Sequence, residues 1–387
     1  MSELVIGVSN IISPLCSSVL RVEPYTECSH GCLYCYARWY RRGSAIVRDR
    51  LVAIKSFAYL ARVVRKRGLK PIPARLSTLS DPLQPHEELF KASLKVLRIA
   101  LEYEYPIILN TKSSRLAREP WRKVLEKLGE LGLLVVQVSI STLREDVARV
   151  LEPVASSPAE RLRAASELCS SCGAPLVLRL SPFAPPISLH PGPRELAELL
   201  KELGVAQVVV EGLRVLRESE ELFEKIVGEP ICWEPYSLRE VEGLKPVSRI
   251  CLSTRLASYL ELARELRRVG IGFATCKEGL FHLHTAENCC GMHMLRDATW
   301  RPTLFEVYRV VSKYGELEVS EAVDRARKEF SDRLWSDALD SYPRIVSKPL
   351  KYHEKKMLKV LRNSALLQRV CPSLRIEGGK LVLAHVQ

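Results

Sequence analysis

Between Ser18 and Val210 six short β-branched runs alternate with turns and helical patterns, and this alternation restricts the fold more than any other feature. The runs Val19–Val22, Ala74–Leu79, Pro106–Asn110, Leu133–Ile140, Pro175–Leu180 and Gln207–Val210 read as buried strands. Between them Glu87–Tyr103, Glu119–Leu131, Pro158–Cys172 and Arg194–Leu203 carry amphipathic helical spacing. Gly132, Gly173 and Gly204 follow helices where a left-handed residue closes the last turn. Strands alternating with helices build a parallel sheet through right-handed crossovers. The expected fold is therefore α/β, an open or partial (β/α)6 barrel with its chemistry at the C-terminal strand ends.

The pattern loosens after Glu211. The expected division is an N-terminal segment (1–17), the barrel core (18–212), a Cys-rich barrel extension (213–300) and a small, mostly helical, basic C-terminal region (301–387). In the extension, Glu220–Val227 and Ser253–Arg268 have helical spacing, and Gly272–Thr275 is a candidate strand or barrel edge. The last region carries Lys351, Lys355, Lys356, Lys359 and Arg362. It ends in Leu374–Ile376 and Leu381–Val386 around Gly378–Gly379, the pattern of a hairpin.

No apolar run reaches the roughly 18 residues a membrane-spanning helix needs, and Met1–Ser13 does not read as a secretion signal. A cytoplasmic protein without membrane contact is expected. The formal net charge of +13 favours a phosphate-rich partner, because Lys and Arg release counterions from a nucleic-acid backbone, although a basic surface alone would give the same number. Five Gln and four Asn stand beside 58 Lys and Arg and 45 Asp and Glu, a balance that resembles a thermophile's.

Twelve cysteines are many for such a chain. Disulfide frameworks belong mainly to small secreted domains, so metal binding is the first question. Cys28, Cys32 and Cys35 form C-x3-C-x2-C in one tight loop after the first strand, so three thiolates can meet three corners of a 4Fe–4S cube. With three ligands, one iron keeps an open site. Zinc with His30 as a fourth ligand and incidental buried thiols are the alternatives.

The loop belongs to a longer string, Glu23-Pro24-Tyr25-Thr26-Glu27-Cys28-Ser29-His30-Gly31-Cys32-Leu33-Tyr34-Cys35-Tyr36-Ala37-Arg38. It resembles the radical S-adenosylmethionine superfamily, and within it the spore-photoproduct-lyase-like branch, whose pattern is close to N-P-Y-x-G-C-x-H-x-C-x-Y-C-Y-A-R. Glu23 and Glu27 depart from it. The resemblance continues through Ser80-Asp81-Pro82-Leu83-Gln84-Pro85-His86-Glu87, where Leu83 replaces the usual Tyr. Further matches are Thr111-Lys112-Ser113, Val138-Ser139-Ile140-Ser141-Thr142, Leu151-Glu152-Pro153, Ser157-Pro158 and Arg161-Leu162, so that ordered matches cover about residues 20–210.

The resemblance implies an enzyme whose 4Fe–4S cluster, on Cys28, Cys32 and Cys35, chelates S-adenosylmethionine and cleaves it reductively to a 5′-deoxyadenosyl radical. A low-potential donor such as ferredoxin or flavodoxin would supply the electron. By position and charge, Ser80 and Asp81 are candidates for the methionine amino group, Lys112 for its carboxylate, Ser139 and Ser141 for the methionine or ribose end, and Tyr34 or Tyr36 for adenine. Each has a structural alternative: a Ser can cap a helix, Asp81 before Pro82 can form a turn, and Lys112 can be a solvated charge. Arg179 on the fifth strand could face inward or outward.

Two later cysteine groups remain. Cys169 and Cys172 have thioredoxin-type spacing but end a helix, where no helix N-terminus activates a thiol; an inert pair is expected over a thiol–disulfide oxidoreductase. Cys276, Cys289 and Cys290, with Cys251 or Cys232, could hold an auxiliary iron–sulfur cluster or zinc, with His282, His284 and His293 as alternative ligands. The same three are candidate catalytic thiols. The branch's lyases carry a hydrogen-returning cysteine beside the strand-two serine, where this chain has Leu79 and Asp81, so modification of DNA or RNA is favoured over repair of that thymine lesion. The alternatives are a radical enzyme acting on a peptide or small metabolite, and a non-catalytic, metal-stabilised nucleic-acid-binding protein.

Overall fold

The computed structural model describes residues 3–40, 46–236 and 246–384. Seven strands form one parallel sheet in sequence order: β1 (Arg21–Val22), β2 (Ala74–Leu76), β3 (Ile107–Thr111), β4 (Leu134–Ile140), β5 (Leu176–Phe183), β6 (Val205–Gly212) and β7 (Gly272–Thr275). The sheet is open, with β1 and β7 at its edges, so the partial barrel has seven strands and Gly272–Thr275 is the added edge.

Local chemistry sets the element ends. The helix Pro158–Cys172 starts at a capping box between Ser157 and Glu160 and stops at Gly173, φ 71°. Gly132 and Gly204 hold the same left-handed conformation. The expected helix over 87–103 is two helices, Glu87–Phe90 and Ala92–Glu102, because Lys91 turns left-handed between them at φ 50°. β2 stops at Leu76, short of Leu79, because Ser77 takes φ 67° and swings the chain out of the sheet.

Strand alternation separates two faces. Ile107, Leu109, Leu134, Val136, Leu176, Leu178, Val208 and Val210 pack outward with the helices in the main core. Ile108, Val135, Val177 and Val209 face inward and pack with Cys276, Cys290, Met292 and Trp300. The segment after β7 thus closes the barrel floor. Gln137 and Gln207 pin it by donating to the backbone carbonyls of Cys290 and Asn288, each at 3.0 Å.

Outside the barrel, Arg214–Leu216, Trp233–Tyr236 and Val247–Ile250 form a small antiparallel sheet that the sequence pattern does not reveal. Strands this short take their stability from cross-strand neighbours rather than from propensity. The C-terminal hairpin is present as Leu374–Glu377 and Lys380–Leu383, with Leu317–Glu318 as a third strand; the expected end at Val386 lies outside the described residues. A second apolar cluster holds Leu304, Val307, Val310, Met357, Val360 and Leu374. The helix Arg344–Leu361 joins both cores, since its Val346 and Leu350 pack into the first. Among the described residues no helix is long and apolar enough to cross a membrane.

Candidate cofactor site at the strand ends

Cys28, Cys32 and Cys35 line one cleft over the C-terminal ends of the strands, together with Tyr34, Tyr36, Ser80, Asp81, Lys112 and Ser139. The cysteine loop is held from several sides. Fully buried Gln84 accepts the Ser29 N–H at 2.8 Å and donates to the Glu27 carbonyl at 2.9 Å. The Leu33 N–H donates to the Leu151 carbonyl at 2.9 Å, and the Asp81 N–H points to Cys28 Sγ at 3.3 Å. Gly31 takes φ 68° where a side chain would be strained.

His30 is buried and turns to Asp81, its Nε2 3.4 Å from Oδ2, so it does not serve as the fourth ligand of a zinc site. Among the described residues no three His, Cys, Asp or Glu side chains form a group ready to hold a single ion. The three thiols share one cleft, and three thiolates are the donor type that ligates iron–sulfur clusters. Burial pushes Cys28 and Cys32 up to about 12; a coordinated cation removes such protons. The donor set therefore fits a multi-iron cluster.

The departure at Glu23 has a structural role. Its carboxylate is buried; Oε1 accepts the backbone N–H groups of Thr78 and Leu79 at 2.6 and 3.0 Å, and Oε2 lies 2.6 Å from Ser77 Oγ. Ser77 Oγ in turn sits 2.8 Å from Ser80 Oγ. Glu23 thus fixes the loop that carries Ser80.

Lys112 meets a buried acid. Its Nζ donates to Glu152 Oε1 at 3.0 Å and to Ser139 Oγ at 2.8 Å, and lies 5.4 Å from the centre of the Tyr34 ring. Glu152 also accepts from Tyr34, from Ser141 at 2.9 Å and from the buried guanidinium of Arg161. Burial raises the Glu152 carboxyl, but Lys112 and Arg161 outweigh it and hold the group at about 2. Asp81 accepts from Thr111 Oγ1 at 2.7 Å, from the Lys112 N–H at 2.6 Å and from the Leu83 N–H at 2.8 Å.

The structure thus brings Tyr34, Tyr36, Ser80, Asp81, Lys112 and Ser139 to the cleft, and leaves Ser141 beneath it on Glu152. Sequence reasoning gave no role to Glu23, Gln84, Glu152 or Arg161. The last three stand in the matched strings, which was the available signal.

Cys251 is disulfide-bonded to Cys232, so it leaves the auxiliary metal set; its sulfur is consumed in tying Val247–Ile250 to the segment before Trp233. Cys276, Cys289 and Cys290 meet at the barrel floor, with Cys289 Sγ 3.9 Å from Cys290 Sγ. Arg179 faces inward and its Nη2 lies 3.3 Å from Cys276 Sγ. Hydrogen bonding with Cys289 and the charge of Arg179 hold the Cys276 thiol well below its ordinary range. His284 is packed against Thr275, 2.9 Å from its Oγ1, and is no part of this group. Cys169 and Cys172 are buried at the helix end, and burial pushes Cys169 up to about 12, which suits the expected inert pair.

The chain is similar to known proteins in sequence and in fold. Residues 22–179 match the family model of the Radical SAM superfamily. The uncharacterised protein ORF301 of Acidianus two-tailed virus is 25% identical over 217 residues, 53% of this chain and 70% of that protein. A solved mutant of spore photoproduct lyase superposes with a TM-score of 0.50 at 16% identity, covering 67% of this chain and 76% of that one.

Proposed function

We propose that this chain, in which residues 22–179 form a radical SAM domain, is an enzyme that cleaves S-adenosylmethionine at Cys28, Cys32 and Cys35 and uses the radical to modify a nucleic acid. Cys28, Cys32 and Cys35 would hold a 4Fe–4S cluster, which would supply the one-electron chemistry for reductive cleavage of the sulfonium. A low-potential ferredoxin or flavodoxin is the fitting donor. The chain's own residues bind and orient. Lys112, locked on Glu152, offers an ammonium to the cosubstrate carboxylate, while Ser80 and Ser139 offer hydroxyls to its polar end. Tyr36, anchored through its hydroxyl to the Thr78 carbonyl at 2.8 Å, offers a ring beside the adenine position. Asp81 and Ser141 act through the loop and through Glu152.

One observation carries the nucleic-acid reading. A groove shares Arg75, Arg214, Lys277 and Tyr36 with the cleft and continues past Arg21, Arg369, Trp39 and Tyr236, with no acidic residue along its described lining. Guanidinium and ammonium groups track phosphates, and aromatic rings stack on unpaired bases. No cysteine flanks Ser80, so modification fits better than repair of a thymine lesion by the hydrogen return described for the lyases.

Anaerobic reconstitution with single-stranded DNA and RNA oligonucleotides tests the proposal. Iron-loaded protein should cleave S-adenosylmethionine when reduced, faster with oligonucleotide, and binding should weaken steeply with salt. Cleavage without any oligonucleotide binding would move the substrate to a peptide or metabolite.

A further inference from the structure

The inner barrel wall beside the cysteines carries a charge pattern that the cosubstrate contacts proposed above leave unassigned. Arg75 on β2 and Arg179 on β5 both line the cleft, and are 8% and 5% exposed. Arg75 Nε and Arg179 Nη1 are buried without a hydrogen-bond partner. Arg179 Nη2 donates to Glu211 Oε2 at 2.5 Å. Glu211 also takes Lys277 at 2.6 Å and the Arg214 guanidinium. Four cations thus face one carboxylate and the Cys276 and Cys290 thiols; with both thiols ionised, four positive charges still stand against three negative. Asp81, the other carboxylate lining the cleft, is engaged by His30, Thr111 and the Lys112 N–H on the cluster side. Lys277 reaches the site from left-handed backbone at φ 60°, a conformation that strains a residue with a side chain.

Buried guanidinium nitrogens left without acceptors are costly, and a guanidinium fork matches the spacing of oxyanion oxygens. We propose that this wall is an oxyanion-binding site, built by Arg75 and Arg179 and backed by Arg214 and Lys277, that seats a backbone phosphodiester of the substrate strand. The phosphodiester assignment rests on the nucleic-acid reading above, whereas the oxyanion site stands without it. Seating the phosphate here holds one nucleotide against the cysteine loop, where the groove meets the cleft.

Calorimetry on the anaerobically reconstituted full chain tests the site with three probes: dTpT, its uncharged methylphosphonate analogue and inorganic phosphate. The native sequence should bind dTpT at least tenfold more tightly than the analogue, and inorganic phosphate should compete. In Arg75→Gln and Arg179→Gln the preference should fall below twofold, and Arg75→Lys and Arg179→Lys should restore part of it; the Lys variants also carry the test if a Gln variant does not fold. Equal affinity for both dinucleotides, or a preference that survives both Gln substitutions, overturns the phosphodiester site. Phosphate binding that is lost in both Gln variants, with neither dinucleotide bound, keeps the oxyanion site and removes nucleic acid as the substrate. Binding of neither phosphate nor dTpT removes both.

Discussion

Lys112 Nζ lies 3.0 Å from Glu152 Oε1, and that carboxylate is wholly shielded from solvent. The same Glu152 holds Arg161 through its other oxygen, so one acid is the shared counter-charge of two cations under the cleft floor. The ammonium proposed to meet the cosubstrate is thereby fixed by a residue that cannot itself touch it.

Glu152→Ala should therefore destabilise the fold by about 3 kcal/mol or more, because it leaves buried Arg161 and nearly buried Lys112 without their counter-charge. Urea unfolding at neutral pH measures this. A variant as stable as the parent would show that the pair contributes nothing.

Acid should act through the same group. Its folded-state carboxyl sits at about 2 against an ordinary 4.5, so its contribution is present above pH 4.5 and is lost as pH falls toward 2. The depression corresponds to about 3 kcal/mol at about 1.4 kcal/mol per unit. Unfolding midpoints between pH 6 and pH 3 should fall more steeply for the parent chain than for Glu152→Gln; parallel curves would assign acid sensitivity elsewhere.

Iron should depend on one cysteine loop. Cys28→Ala, Cys32→Ala or Cys35→Ala should lose the iron and sulfide of the reconstituted protein and reductive cleavage of S-adenosylmethionine with it. Cys232→Ser together with Cys251→Ser should retain both, because those sulfurs are bonded to each other. Chelating the iron should reproduce the single-cysteine losses.

Gly279 is the sharpest test of how the C-terminal region docks. It has φ 66°, and a Cβ there would come 2.4 Å from the Val370 carbonyl oxygen and 2.5 Å from Cys371 Cα, both backbone atoms. Gly279→Ala should cost about 2 kcal/mol or more and lower the melting temperature by several degrees. Gly228→Ala has open space at its Cβ and only the positive-φ strain, so it should cost less.

Thiol alkylation separates the remaining cysteines. Cys169 and Cys172 should label slowly in the folded chain, and Cys169→Ala with Cys172→Ala should leave iron content and cofactor cleavage unchanged. Loss of cleavage would restore a redox role for that pair.

Much of this protein was written in local patterns. The alternation from Ser18 to Val210 specified parallel βα units, Ser157-Pro158 with Glu160 specified a helix start, and three cysteines within eight residues specified a metal-competent loop. Each depends on neighbours a few residues apart, so the chain's own periodicity encodes it. Tertiary structure decided the rest. Lys112 and Glu152 are 40 residues apart, Glu23 reaches 55 residues to hold the Thr78 N–H, and Arg179 meets Cys276 across 97. Cys251 is a possible metal ligand in the sequence, but the fold brings Cys232 to it and the two form a disulfide. Which charges neutralise one another, and which arginine nitrogens stay without an acceptor, follows from how the strands curve and which side of the sheet each residue faces. Spacing alone carries no record of that.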